Sequence, residues 1–375
     1  MILKCTSFEE MHREISKRDM DIVVFGAGVI GTVTVPEILR QYDLLWRVSF
    51  YIDNSHDAQG RKVMLRNRTV DIKPVTALNG VGKNTVIIIA ISRYAEILEQ
   101  LEQMPCTQDM TCYIMPMMCI HNFCSDISGG TSILSDKPLI PQKIHYMWLG
   151  KKQIPSNLQK CIDSWKKYCP DYEIIQWNEN NYDINKHAYM RDAYERGAYG
   201  FVPDYARLDI LYQYGGIYMD TDVEVIKNLD PLLYQAAFCG VEKWQVVNFG
   251  GCSGAVKGHP IIEKFLEARE DIPFLDKNGN PNTVTCGYYD TNVILESGYQ
   301  INGTTQHIQG MNVYASDYFH PYDYMSGHVH MTEHTYSVHW FNGGWLDEKM
   351  KLANQETMQE YDRIYELAVQ NGRNA

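Results

Sequence analysis

Residues 214–222 read Tyr-Gly-Gly-Ile-Tyr-Met-Asp-Thr-Asp, which is a glycine break, a short apolar strand and two aspartates separated by one residue. Alternate residues of a strand point to the same side, so the pattern predicts that Asp220 and Asp222 direct their oxygens toward one point. Mg²⁺ and Mn²⁺ accept such carboxylates and keep positions open for phosphate oxygens. The stretch therefore predicts a divalent-metal site facing a diphosphate. The alternative is solvated loop carboxylates, since Asp19 and Asp21 repeat the spacing in a stretch with no other sign of chemistry.

A helix is predicted just before this strand, from Pro203 to Tyr214. Proline suits the first helical turn, and Gly215 is placed to end the helix. Asp204 and Arg207 fall on the stripe that the helix buries with its leucines. A charged pair there indicates either a ligand-binding function or an internal ion pair that fixes the helix against the sheet.

Two further segments carry polar or aromatic groups at the end of a predicted strand. Residues 141–150 form a buried strand with Trp148 near its end, where an indole can stack on a nucleobase or fill the core. Residues 336–345 place His339, Asn342 and Trp345 after an apolar strand. An imidazole can ligate a metal or donate to a phosphate, so His339 is a candidate metal ligand.

Several motifs between Ile140 and about Leu346 act in combination as a family signature: Ile-His-Tyr-Met-Trp-Leu-Gly, Ser-Trp-Lys-Lys-Tyr-Cys-Pro-Asp-Tyr, Val-Pro-Asp-Tyr-Ala-Arg-Leu-Asp-Ile-Leu, Gly-Gly-Ile-Tyr-Met-Asp-Thr-Asp and Lys-Gly-His-Pro. With them the chain resembles bacterial glycosyltransferases related to the yeast initiation-specific mannosyltransferases and to capsular polysaccharide transferases, a family 32-like group with a DXD motif. The resemblance covers just over half of the chain.

The resemblance implies a GT-A type domain in which a nucleotide-sugar donor, UDP-linked rather than GDP-linked, lies across the carboxyl ends of the strands. Its site residues carry over by position: Trp148 on the base, Asp204 and Arg207 on the sugar and phosphate, Asp220 on ribose and metal, Asp222 on metal, and His339, Asn342 and Trp345 over the diphosphate. It also implies retention of anomeric configuration, a glycan or lipid-linked saccharide acceptor, and capsular or surface polysaccharide synthesis.

The chain departs from the family pattern in the acceptor region. Cys286 to Thr291 stand where related enzymes show Thr-Gly-Pro, which leaves the acceptor contacts open. The sequence does not identify a nucleophile on the far face of the sugar. We therefore expect a front-face transfer with the leaving phosphate as base, and Asp290 is the carboxylate to test as an exception.

The first part of the chain has a different signature. A strand from Ile22 to Phe25 leads into Gly26-Ala-Gly28-Val-Ile-Gly31, which is followed by a helical pattern from Val33 to Tyr42. A second strand from Val48 to Ile52 ends at Asp53, and together these features are the fingerprint of a dinucleotide-binding turn. The pattern predicts a Rossmann-like domain that binds a nucleotide or UDP-sugar through Gly26, Gly28, Gly31 and Asp53, or else keeps the turn for a structural or docking purpose.

We predict an α/β protein with a Rossmann-like domain in residues 1–137, a GT-A type transferase domain in 138–347 and a C-terminal helical tail in 348–375 that caps the transferase domain. The formal net charge of −12 argues against a nucleic-acid partner. No apolar stretch is long enough to span a bilayer and no signal pattern precedes the first strand, so a cytoplasmic protein is expected, in peripheral contact with membrane-bound assembly machinery.

Other classes stay open at this stage. A glycoside hydrolase needs two carboxylates about 5–9.5 Å apart, a separation that the spacing of Asp220 and Asp222 disfavours. An NAD-dependent oxidoreductase would depend on Gly28 and Asp53 and be indifferent to Mn²⁺. A non-catalytic sugar-nucleotide-binding protein would hold a donor without transferring it.

Overall fold

The computed structural model describes residues 1–123, 130–344, 346 and 348–373. Two large β-sheets, one of seven and one of eight strands, form consecutively along the chain with helices around them, and the described residues also form a third sheet of two strands. The α/β class is as predicted.

The first sheet consists of short apolar strands with four helices around it. Its strands are β1 (Ile2–Lys4), β2 (Asp21–Phe25), β3 (Val48–Ile52), β4 (Lys62–Leu65), β5 (Arg68–Lys73), β6 (Thr85–Ile89) and β7 (Thr111–Ile114), and its helices are α1 (Phe8–Lys17), α2 (Val35–Gln41), α3 (Tyr94–Glu102) and α4 (Met115–Phe123). The strand order is β1-β7-β6-β2-β3-β5-β4, parallel except for the antiparallel β4. Counted from the glycine-turn strand β2, the central five strands have the 3-2-1-4-5 order of a Rossmann fold.

The turn after β2 packs tightly. Gly26 has φ +107° and a Cβ there would lie 2.4 Å from Ile91, while a Cβ at Gly31 would lie 1.9 Å from the Gly26 carbonyl oxygen. The helical segment that follows was predicted from Val33 to Tyr42. The structure instead shows a π-helix from Ile30 to Thr34 that continues into α2.

The second part of the chain contains the eight-stranded sheet, the two-stranded sheet and the candidate site. Its elements are β8 (Lys143–Met147), α5 (Ser156–Tyr168), β9 (Glu173–Trp177), α6 (Ala188–Glu195), α7 (Pro203–Tyr214), β10 (Gly216–Tyr218), β11 (Val223–Val225), β12 (Ala237–Val241), β13 (Val247–Asn248), β14 (Ser253–Ala255), α8 (Pro260–Glu267), α9 (Cys286–Glu296), β15 (Gln306–Ile308), β16 (Met311–Tyr314), α10 (Ser316–Phe319) and β17 (Ser337–His339). The main strand order is β15-β16-β12-β14-β10-β8-β9. β10 lies in the middle, parallel to β8 and antiparallel to β14.

Asp220 and Asp222 are not strand residues, which corrects the expectation that the pleat of one strand aligns them. β10 ends at Tyr218, and the two aspartates lie in a turn closed by a hydrogen bond from the Val223 amide to the Asp220 carbonyl. The chain then forms β11, which pairs with β17 outside the main sheet and sets Val223 opposite His339. A turn and a distant strand therefore assemble this corner.

The C-terminal helix α11 (Glu348–Arg373) packs against β1 and α3 of the first sheet. This corrects the expectation that it caps the transferase domain, although its Tyr361 ring also contacts His328 at 6.0 Å. The two parts of the chain are joined elsewhere by the Thr34 hydroxyl, which donates to the Trp244 carbonyl at 2.8 Å, and by Gln41, which donates to the Ile301 carbonyl. Among the described residues, no helix is both long and apolar enough to cross a bilayer.

Candidate active site

Three predicted metal ligands, Asp220, Asp222 and His339, meet at one corner of the second sheet, which we call the metal corner. One ligand atom from each of Asp220, Asp222 and His339 lies within 4.8 Å of the others. The aspartates come from the turn after β10, and His339 ends β17, which pairs with β11 directly after that turn. The register of this small sheet therefore positions the imidazole against the carboxylates.

Asp222 is the most tightly held member of the three. Its Oδ1 lies 3.3 Å from His339 Nε2, and its Oδ2 accepts a hydrogen bond from the Asn342 amide at 2.8 Å. Burial opposes ionisation of Asp222, but His339 and the Asn342 amide outweigh burial and lower the pKa of this carboxyl to about 2. Burial works against the charge on His339 too, and Asp222 overcomes it and raises the pKa of the imidazole. The pair is therefore an ion pair when no cation competes.

These groups fit a hard divalent cation. Two ligand atoms about 2.1 Å from one ion and at right angles lie about 3 Å apart, which is near the separation of His339 Nε2 and Asp222 Oδ1. The His339 ring stacks on Phe341 with centroids 4.1 Å apart, and its Nδ1 is buried without a hydrogen-bond partner among the described residues. The imidazole is therefore oriented by Asp222 at Nε2 and by ring stacking, with no polar partner at Nδ1 among the described residues.

Arg207 connects the helix α7 to the aspartate turn. Its Nη2 lies 3.3 Å from Asp204 Oδ1 and 3.4 Å from Asp220 Oδ2, and its Nε donates to the Pro203 carbonyl. Burial disfavours the charge on Arg207, but Asp220 and Asp204 hold the pKa of the guanidinium well above its ordinary value. One cation thus faces two carboxylates, and burial raises the pKa of Asp204 despite Arg207. The predicted acid–base pair of α7 forms and points to the metal corner.

Gly250 and Gly251 form a turn that packs directly against Asp220. The Asp220 amide donates to the Gly250 carbonyl at 2.8 Å, and a Cβ at Gly250 would lie 2.1 Å from Asp220 Oδ2. A Cβ at Gly251 would lie 2.0 Å from the buried His320 ring. Both glycines are needed for close approach, so the turn does more than reverse the chain.

The residues predicted to face a nucleotide lie partly within the described residues. Trp148 is half-buried just after β8, with its indole donating to the Lys152 carbonyl at 2.8 Å. The Asn342 side chain accepts a hydrogen bond from Asn157 at 3.2 Å, and a cavity of about 300 Å³ lies against Asn157, Asp222 and Asn342. Trp345 lies outside the described residues.

Asp290, the carboxylate to test as a nucleophile, forms a buried ion pair with Arg269. Its Oδ1 accepts hydrogen bonds from Arg269 Nη2 at 2.7 Å and Nε at 3.2 Å, and Asp290 is only 2% exposed. Arg269 also donates to the Cys286 carbonyl. The pair anchors α9 behind the site, and no sequence pattern marked Arg269 as its partner.

The glycine turn of the first sheet belongs to a separate place in the fold. Asp53 accepts hydrogen bonds from the Ala27 amide and the Ser55 amide, each at 2.8 Å, so both of its oxygens already have backbone partners. Gly28 is exposed, and a Cβ there would meet no atom within 4 Å. The structure does not bring Gly26, Gly28, Gly31 or Asp53 into the metal corner.

Two residues near the site escaped the sequence analysis. Glu242 directly follows β12 and accepts a hydrogen bond from the Asn248 amide at 2.7 Å. Asn157 binds the segment that carries Asn342. A carboxylate directly after a buried strand is a signal that could have drawn attention to Glu242, whereas Asn157 had none.

Comparisons with known proteins agree with the geometry. Residues 155–239 match the family described as "Glycosyltransferase sugar-binding region containing DXD motif". Inositol phosphoceramide mannosyltransferase 1 of Schizosaccharomyces pombe is 31% identical over 121 residues, which cover 30% of this chain and 38% of that protein. Mannosyl phosphorylinositol ceramide synthase SUR1 of Saccharomyces cerevisiae is 32% identical over 173 residues, 43% of each chain.

A bacterial protein and a solved structure are also similar. Subversion of eukaryotic traffic protein A of Legionella pneumophila is 28% identical over 162 residues, 35% of this chain and 25% of that protein. The structure of PaToxG glycosyltransferase superposes with a TM-score of 0.36 and 17% identity, covering 55% of this chain and 77% of that one. This chain spans less than half of the length of the yeast relatives named above. Residues 155–239 are thus similar to the sugar-binding region of the DXD-containing glycosyltransferases.

Proposed function

We propose that this protein is a metal-dependent glycosyltransferase that moves a hexosyl group from a nucleotide-sugar donor to a hydroxyl of a glycan or other saccharide acceptor. The observation that carries the proposal is the convergence of Asp220, Asp222 and His339 within 4.8 Å, with Arg207 lying 3.4 Å from Asp220. Two carboxylates, an imidazole and a fixed guanidinium are the groups that a leaving diphosphate requires.

Asp220, Asp222 and His339 would hold Mn²⁺ or Mg²⁺, which, when bound, neutralises charge that develops on the leaving phosphate. Arg207 stays protonated and offers donors to a phosphate or sugar oxygen from a fixed position. Asp204 orients Arg207 and can accept a hydrogen bond from a sugar hydroxyl. Trp148 supplies a flat apolar face for the base, and Asn342 lies at the edge of the cavity where the diphosphate would be covered.

Front-face transfer with retention is the stereochemical course that the residues favour. Asp290 is engaged by Arg269 and almost fully buried, so it is poorly placed to attack the sugar. In the proposed course the bond from the sugar C1 to the phosphate oxygen breaks, the bond to the acceptor oxygen forms, and the acceptor proton passes to the leaving phosphate.

The transferred sugar and the setting rest on resemblance. The yeast relatives are named as mannosyl transferring enzymes, which makes mannose a candidate alongside glucose and galactose. We retain a UDP-sugar as the favoured donor, surface or capsular polysaccharide synthesis as the process, and the cytoplasm as the place, with a saccharide or lipid-linked saccharide as the acceptor.

The test is donor hydrolysis, in which water replaces the acceptor. The protein is incubated with UDP-glucose, UDP-galactose or GDP-mannose, with Mn²⁺ or with EDTA, and release of nucleoside diphosphate is measured. We expect release that requires Mn²⁺ and is abolished by Asp222→Asn.

Asp21→Asn is the matched control, because Asp21 belongs to the second Asp-x-Asp pair of the chain. Asp21 is exposed at the start of β2, and its neighbour Asp19 pairs with Arg47 at 2.8 Å. Release that survives EDTA, or that Asp222→Asn leaves intact, would contradict the proposal.

A further inference from the structure

The order of the strands in the second sheet indicates where the acceptor binds, and this inference rests on the proposed function. Trp148 follows β8, and the aspartate turn follows its neighbour β10. If the base lies at Trp148 and the diphosphate at Asp220 and Asp222, the transferred sugar lies one step further along the sheet. The strands on that side of β10 are β14 and β12. The acceptor must therefore approach near the end of β12.

Glu242 is the first residue after β12 and is fixed relative to the metal corner. Its Oε1 accepts a hydrogen bond from Asn248 Nδ2 at 2.7 Å. The side-chain Oδ1 of Asn248 accepts hydrogen bonds from the Gly250 amide at 2.8 Å and the Gly251 amide at 3.2 Å, and the Gly250 carbonyl in turn accepts from the Asp220 amide at 2.8 Å. A continuous series of hydrogen bonds thus joins Glu242 to Asp220.

Glu242 differs from the other carboxylates of this region in its partners. Asp204 is paired with Arg207 and Asp290 with Arg269. Glu242 has no cationic partner within 4.0 Å in the described parts of the chain, and its side-chain hydrogen-bond partners, Asn248 and Trp244, are neutral. Its residue is half-buried, and burial raises the pKa of its carboxyl. A half-buried carboxylate held by neutral donors retains capacity to accept a hydroxyl proton in a hydrogen bond.

Glu242 also lies next to the segment that covers the metal corner. It lies beside Phe341 and Tyr324, whose rings are 5.3 Å apart, around a gap too narrow to hold a water molecule. Phe341 stacks on His339, the candidate metal ligand. Glu242 is therefore adjacent to the metal corner on the side toward which the sugar extends.

We propose that Glu242 is an acceptor-binding residue that receives a hydrogen bond from the attacking hydroxyl of a polyhydroxylated acceptor, such as a sugar or a cyclic polyol. Glu242 orients this hydroxyl toward the sugar C1 and remains a carboxylate. The acceptor proton goes to the leaving phosphate oxygen, so that the transfer balances without another reactant.

The first part of the chain supports the turn that carries Glu242. The Glu242 amide donates to the Val246 carbonyl at 2.8 Å, which closes the turn, and Thr34 of the π-helix donates to the Trp244 carbonyl at its centre. The Trp244 ring packs edge-on against Tyr324 at 5.3 Å. The Rossmann-like part therefore positions the acceptor residue, which gives it a function that needs no ligand of its own.

The test uses water as the acceptor and measures kcat and donor KM for Mn²⁺-dependent release of nucleoside diphosphate. Glu242→Gln keeps an oxygen for Asn248 but removes the charge, so we expect kcat to fall about tenfold or more while the donor KM changes less than about threefold. Glu242→Asp, which keeps the charge and shortens the reach, should lose less. Glu263→Gln on α8, whose partner is the Tyr212 hydroxyl, is the matched control and should match wild type.

A Glu242→Gln enzyme with wild-type kcat would overturn the inference, and so would a parallel loss of donor affinity and thermal stability, which indicates a structural function. Absence of metal-dependent release in the wild-type protein would instead refute the proposed function itself. The two failures are therefore distinguishable in one experiment.

Discussion

Replacement of Arg207 by methionine should separate the structural from the catalytic contribution of the buried charge cluster. Arg207 lies 3.3 Å from Asp204 and 3.4 Å from Asp220, and the side chains of Arg207 and Asp204 are only 6% and 10% exposed. Removal of one partner from a buried ion pair leaves an uncompensated charge and costs about 3–5 kcal/mol. The side chain of Asp220 is 26% exposed and that of Asp204 only 10%, so most of this cost should come from the charge left on Asp204.

Catalysis should respond independently of stability. Loss of a charge-assisted contact to the leaving group costs at least about 1.4 kcal/mol of barrier, so release of nucleoside diphosphate should slow by about tenfold or more in Arg207→Met. The double variant with Asp204→Leu replaces the pair by apolar groups of similar size. It should recover much of the stability and none of the turnover.

Urea unfolding followed by tryptophan fluorescence measures the stability, since only Trp46 of the seven tryptophans precedes residue 138. Donor hydrolysis with Mn²⁺ measures turnover in the same samples. A single variant that unfolds within about 1 kcal/mol of wild type would refute the assignment of a buried ion pair. A double variant that regains wild-type turnover would refute a catalytic function of Arg207.

Two further predictions concern the metal corner. Gly250→Ala places a Cβ 2.1 Å from Asp220 Oδ2, so Mn²⁺ affinity measured by calorimetry should fall about tenfold or more. Gly82→Ala, at a position where a Cβ meets no atom within 4 Å, should bind Mn²⁺ like wild type. In EDTA, the ion pair of His339 and Asp222 should stabilise the fold between the ordinary pKa values of aspartate and histidine, because the pKa of His339 is raised and that of Asp222 is lowered to about 2. This stability is lost as pH rises through the raised pKa of His339, so the melting temperatures of wild type and His339→Asn should converge as pH rises above the ordinary pKa of histidine, and a gap that stays constant would exclude the pair.

Local signals in the sequence were sufficient for several elements. The helix from Pro203 to Tyr214 has the predicted bounds, because proline at the first turn and Gly215 at the end act on their own backbone. The strand from Val48 to Ile52 is also as predicted, since all but one of its residues are buried. These features depend on neighbours in the chain and can be read from it.

Contacts between distant segments could not be read in the same way. Asp222 meets His339 through the pairing of β11 with β17, and no periodicity indicates which strand a three-residue segment will pair with. The Asp-Thr-Asp carboxylates converge through a turn rather than the pleat of a strand, so the predicted proximity was correct while its geometric reason was wrong.

Partner choice was also beyond the sequence. Asp290 lies within α9 and is paired with Arg269, which follows the end of α8 and is brought near by the packing of α8 against α9. The C-terminal helix has polar and apolar faces that suit either sheet, and its position against β1 depends on the exposed edge of the first sheet. The glycine fingerprint predicted the strand–turn–helix correctly, although Asp53 binds its own turn.

An anomalous difference map from crystals grown with Mn²⁺ and UDP would show whether Asp220, Asp222 and His339 hold a cation against a diphosphate. We expect a manganese peak within about 2.5 Å of an oxygen of each aspartate and of a diphosphate oxygen. A map that shows bound UDP and no peak at this corner would contradict this expectation.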